Sequence, residues 1–143
     1  MTVGRQTTKT MIVPVDEVNL ASLKAISYAR SMSPNVVALH VTDDVEAGEK
    51  LREIWESKVL DVPLLLISSP YRSFIVPIIS YLDALQVSDP EGNVSVVLPE
   101  YRTSLPWQGW LHNQSSRRLR SALLDRPNTV VVDVPYHLGD SPT

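Results

Sequence analysis

A chain of 143 residues with a formal charge of −3 has the size of one ordinary domain, large enough to bury a core without a disulfide or a metal. It contains no cysteine, which excludes a disulfide framework, a zinc–thiolate site and a cysteine nucleophile, and agrees with a reducing, cytosolic setting. The slightly acidic balance excludes a surface that binds nucleic acid over its whole extent.

The longest apolar runs, Val62 to Ile67 and Phe74 to Ile79, fall far short of the ~20 residues a membrane helix needs. The N-terminus lacks the apolar stretch of a signal peptide. Residues 1–9 are polar and read as a flexible lead-in, of the kind left when a domain is cut from a longer chain. Residues 10–138 read as the domain and 139–143 as a flexible tail.

In chain order, Thr10 to Val15 is short, apolar and β-branched, the pattern of a strand buried on both faces. Asn19 is placed to cap a helix whose Ala21, Ala25 and Ala29 recur every fourth residue, until Ser33-Pro34-Asn35 breaks it. Val36 to Val41 is a second strand. Thr42, Asp43 and Asp44 offer caps for a second helix, with Leu51, Ile54 and Trp55 marking its inner face. Asp61 to Ile67 is a third strand. Ser69-Pro70 then reads as an N-cap and first helical position, and Phe74 to Leu85 carries a third helix that Pro77 is expected to kink. Val94 to Leu98 is a fourth strand and Pro99 to Gly109 a loop. Asn113 to Leu124 is a fourth helix with Leu119, Ala122 and Leu123 inward, and Thr129 to Val134 is a fifth strand.

Five apolar strands alternating with four helices predict the α/β class: a doubly wound, Rossmann-like, five-stranded parallel sheet with helices on both faces. In such sheets ligands bind beyond the carboxyl ends of the strands, where the strand order reverses. That rule selects Pro14, Val15 and Asp16 after the first strand, Val41 and Thr42 at the end of the second, and Pro99, Glu100 and Tyr101 after the fourth. The start of the fourth helix, His112, Asn113, Gln114 and Ser115, is expected close by. Asp16 is either an acceptor for an adenine or ribose or a turn residue favoured by a helix start. The helix start at Asn113 is either an anion site or an ordinary capped end. Arg118 reads as a phosphate clamp and Arg120 as part of a solvated basic face. Tyr71 and Arg72, like Tyr101 and Arg102, set an aromatic ring beside a guanidinium, which suits a purine and its phosphate as well as it suits ordinary surface. Trp107 and Trp110 read as a cover for the core, and His40 as a satisfied core histidine.

Nothing in the chain spells an enzyme. His40, His112 and His137 are not at metal-ligand spacing, no Ser–His–Asp set is visible, and there is no Walker loop or dinucleotide fingerprint.

The opening MIVPVDEVNLASLKAISYARSMSPNVVALHV resembles that of universal stress proteins, in which a first strand ends in Pro-Val-Asp and a second in Leu-His-Val. The resemblance implies the strand order 3-2-1-4-5 and a homodimer joined along the fifth strand, residues 129–134. The chain departs from the nucleotide-binding members, which carry a glycine-rich phosphate loop after strand four. Here that strand runs into Pro99-Glu100-Tyr101, and only Gly109 remains before the helix. The stretches SSPYRSFIVPIISYLD, VVLPEY, LHNQSSRRLRSALL and VPYHL are similar to the cytosolic C-terminal domains of bacterial amino acid–polyamine–organocation superfamily permeases. Tails of this fold occur on potassium importers of that group, and some bind cyclic di-AMP. The resemblance therefore implies a cytosolic regulatory domain of a membrane transporter, without a required cofactor, that senses an adenine nucleotide. Cyclic di-AMP is the favoured ligand, with ATP or AMP behind it. Asp16 and the backbone at Val41 and Thr42 would hold base or ribose, Asn113 to Ser115 and Arg118 a phosphate, and Tyr71 or Arg72 the other half of a dinucleotide. A ligand-free dimerisation module and a stand-alone ATP-binding stress protein are the two alternatives.

Overall fold

The computed structural model describes residues 9–69, 74–102 and 113–137, and in them strands and helices alternate as predicted. Strand β1 (Lys9–Pro14) leads into α1 (Leu20–Met32), β2 (Asn35–Thr42), α2 (Val45–Lys58), β3 (Leu64–Ser68), α3 (Ile75–Ser88), β4 (Asn93–Arg102), α4 (Asn113–Leu124) and β5 (Thr129–His137). Every pairing is parallel, and the order across the sheet is β3-β2-β1-β4-β5. The chain winds outward from the central β1 to β3, then crosses back past β1 to β4 and β5. This is the expected 3-2-1-4-5 arrangement. Residues 1–8 of the lead-in and residues 138–143, which include the tail, lie outside the described residues, and Lys9 already belongs to β1.

The reversal of winding places α1 and α2 on one face of the sheet and α3 and α4 on the other. Ala25, Ile26, Ala29 and Trp55 pack on the first face against Met11, Val13, Val36, Ala38 and Leu64. Ile78, Leu82, Leu119 and Leu123 pack on the second against Ile12, Leu39, Val41, Val96 and Leu98. Successive residues of β1 thus enter different cores, which is why its sequence is apolar without interruption. Trp55 is fully buried, and its indole N–H donates to the Val62 carbonyl at 2.8 Å.

Local chemistry sets the element ends. Asn19 and Ser22 form a reciprocal capping box at the start of α1, and the Asp44 side chain accepts from Ala47 N at the start of α2. Gly48 lets α2 approach the sheet closely: a Cβ there would stand 2.7 Å from Leu66 Cδ1. Asn128, with φ 57°, supplies the left-handed turn into β5.

Five expectations need correction. Ile54 is 47% exposed, because the face of α2 that meets the sheet runs through Gly48, Leu51 and Trp55. Strand β3 begins at Leu64 rather than Asp61, since the Val62 carbonyl is taken by the Trp55 indole and Pro63 has no N–H to give the ladder. Ser69 does not cap α3. Its N–H donates to the Thr42 carbonyl at 2.8 Å, prolonging the sheet, and α3 starts at Ile75. Pro77 is therefore the third residue of α3, where its missing N–H has no partner to lose, and the ground for a kink disappears. Finally, Pro99, Glu100, Tyr101 and Arg102 are not loop but the continuation of β4, paired with Val134, Pro135, Tyr136 and His137 of β5. The register with β1 reaches only to Ile12 opposite Val96, so β4 beyond that point has an open side on which a proline is tolerated.

Candidate functional site

The switch point lies between β1 and β4. On its β2 side, Pro14 stands opposite Leu39, and Val15 N–H donates to the Leu39 carbonyl at 2.9 Å. The exits of β1 and β2 are therefore side by side, which brings Pro14, Val15, Asp16, Val41 and Thr42 to one end of the sheet. Val15, Val41 and Thr42 are buried, and Asp16 is half-buried at the rim. The buried valines can contribute backbone groups only. Asp16 is the first acidic residue after β1.

Thr42 was expected to offer its backbone to a ligand, and its hydroxyl has a structural task. It donates to the Asp44 carbonyl at 2.8 Å and accepts from Asp44 N at 3.0 Å, closing the turn into α2. The Thr42 carbonyl accepts from Ser69 N. The end of β2 thus joins the loops that follow β2 and β3.

His40 joins it to the loop that follows β1. The ring is 9% exposed, and its Nδ1 lies 2.8 Å from the Val15 carbonyl oxygen. Burial lowers the imidazole pKa from its ordinary value, and the hydrogen bond to the backbone opposes that in smaller measure. The reading of His40 as a satisfied core histidine holds. Its specific tie to the exit of β1 was not visible in the sequence, where the sole signal was a histidine inside an apolar strand.

On the β4 side, Pro99, Glu100 and Tyr101 rise as one strand of a two-stranded ribbon with β5. Pro99 is buried, and the side chains of Glu100 and Tyr101 lie outside the described residues. Asn113, Gln114 and Ser115 form the first turn of α4, as expected, with their side chains likewise undescribed. Arg118 is exposed on α4, where a diffusing anion can reach it. Arg120 departs from its expectation as a solvated cation: it bonds Asp133 of β5 at 2.5 Å and fastens α4 to the ribbon. Tyr71, Arg72, Trp107, Gly109, Trp110 and His112 lie outside the described residues. Among the described residues no cluster of His, Asp or Glu is arranged to hold a metal, and no helix is long and apolar enough to cross a membrane.

A groove of about 170 Å³ opens at the other end of the sheet, between the end of α3 and the turn from α4 into β5. Its Arg126 is engaged by Asp83 at 2.8 Å. It contains none of the switch-point residues.

The arrangement is that of a doubly wound α/β domain with one reversal of strand order, and comparison with known proteins assigns it further. Residues 6–136 match the family described as the KimA potassium transporter C-terminal domain, and the chain belongs to that family. It is similar to the potassium transporter KimA of Bacillus subtilis (strain 168), with 35% identity over 129 residues. The match takes in 89% of this chain and 21% of that relative, so the chain spans about a fifth of the curated relative's length.

Proposed function

We propose that this domain is the cytosolic regulatory part of a potassium transporter, and that it senses an adenine nucleotide in the crevice between the exits of β1 and β4. Membership of the KimA C-terminal domain family supports the connection to a transporter. The observation that supports the ligand reading is the reversal of strand order at β1, with Asp16 and the end of β2 on one side of it and β4 on the other. Cyclic di-AMP is the favoured ligand, with ATP and AMP as rivals. The domain catalyses nothing in this reading. It needs only a ligand with different affinities for two states of the transporter. The likeness to universal stress proteins belongs to the same reading and has the order 3-2-1-4-5 and the Pro14-Val15-Asp16 exit in its favour, while a parent of the amino acid–polyamine–organocation kind rests on the sequence resemblance alone.

Calorimetry with cyclic di-AMP, ATP and AMP tests it. Binding tighter than about 100 micromolar is expected for at least one of them, in the range of weak regulatory ligands. Arg118→Ala is expected to weaken it about tenfold, the loss of one charged hydrogen bond. No binding by any of the three, or normal binding by both Arg118→Ala and Asp16→Ala, removes this site.

A second reading has its own observation. Strand β5 is an edge of the sheet, and Val130 on it is 53% exposed. In this reading the domain is a ligand-free module that pairs two copies along residues 129–134. Sedimentation at tens of micromolar separates the two, since a monomer that binds nucleotide removes the second.

A further inference from the structure

We propose that His40 is a positioning residue for the crevice: its ring holds the Val15 carbonyl and, through the planar peptide that follows, sets the direction in which Asp16 leaves the sheet.

The contact spans 25 positions of sequence and joins β2 to the first residue beyond β1. A carbonyl oxygen only accepts, so the proton of the neutral ring must sit on Nδ1. The adjacent residue of β2 completes the grip. The Leu39 carbonyl takes the N–H of Val15 at 2.9 Å while His40 takes its C=O at 2.8 Å. Both polar ends of Val15 are therefore held by consecutive residues of one strand.

The C=O of Val15 and the N–H of Asp16 belong to the same trans peptide and point in opposite directions. Fixing the first aims the second, and with it the start of the turn that carries the Asp16 carboxylate. Val15 is fully buried, so water cannot readily replace the ring as a donor. A packing role alone would be filled as well by a leucine of similar bulk. The geometry asks for a donor at the place of Nδ1.

The consequence for a ligand rests on the crevice being the adenine-nucleotide site, but the positioning itself does not. The test is made on the 143-residue chain. Nitrogen-15 spectra of the His40 ring are expected to show the Nδ1–H tautomer. His40→Asn places an amide N–H where Nδ1 stood and is expected to keep amide exchange at Asp16 and Glu17, and cyclic di-AMP affinity, near those of the parent. His40→Leu is expected to speed exchange at those two amides and weaken cyclic di-AMP about tenfold, as for one lost hydrogen bond. If His40→Leu fails to fold, His40→Gln, whose amide lies one methylene too far, takes its place. An Nε2–H tautomer, or a leucine or glutamine variant that matches the parent at Asp16 and Glu17, overturns the proposal. Should the parent chain bind no adenine nucleotide, the ligand reading fails, while tautomer and exchange still decide the role of His40.

Discussion

On the β2 side of the switch point each strand exit is fastened to its neighbour, whereas on the β4 side two strands run on together past the rest of the sheet. The fastening uses Leu39, His40 and Thr42 of β2, which hold Val15, Asp44 and Ser69 through backbone and side-chain bonds of 2.8–3.0 Å. The β4–β5 ribbon is gripped from the two faces by longer arms: Arg120 of α4 on Asp133, and Lys24 of α1 on the Pro135 carbonyl at 3.1 Å. Lys24 and Asp133 are exposed, so these arms work against water, whereas the bond to His40 does not. One flank is tied by bonds shielded from water, the other by side-chain bonds open to it.

That contrast can be broken in four ways. The largest effect is expected from Trp55→Ala, which empties the core beneath the fastened flank and leaves the buried Val62 carbonyl without its donor. A loss of about 3–5 kcal/mol in denaturant unfolding is expected. Next comes pH. The His40 pKa is lowered in the folded state, so the unfolded chain binds its proton more readily. Stability is therefore complete above the unfolded value of about 6.5 and falls as pH drops through it toward the folded value. Chemical melts between pH 8 and 5 are expected to show this decline in the parent and a smaller one in His40→Asn. Removal of the α1 cap by Asn19→Ala is expected to cost about 1 kcal/mol. The smallest effect is expected from Asp133→Asn on the ribbon, about 0.2–1 kcal/mol, declining with added salt. A ribbon variant that unfolds the chain as readily as Trp55→Ala would erase the distinction between the flanks.

The sheet was legible because its signals are local and repeated. Met11 to Val13 and Val36 to Leu39 are apolar on both faces, and Asn19 sits where a cap must sit. Errors arose where a partner distant in sequence decided the outcome. Ser69 looks like a helix cap until α3 is found to begin only at Ile75, and Pro99 looks like the end of a strand until β1 is found to stop short of it. The same limit applied to the site. The strand-end rule selected Asp16, Val41 and Thr42, and they lie together at one end of the sheet because topology alone places them. It could not assign Thr42 to its own turn, join Arg120 to Asp133, or link His40 to Val15, since each is a meeting of side chain and partner that no periodicity records.

The central strand is also the first to be made. Thr10 finds Asn35 soon after it leaves the ribosome, but Lys9 must wait for Asn93. While the middle of the chain is being translated, β1, β2 and β3 can assemble with α1 and α2, leaving the far side of β1 as a naked hydrogen-bonding edge. Synthesis in this order leaves that edge open to wrong pairing until β4 is made. The strand-order reversal itself comes into being only when β4 closes that edge.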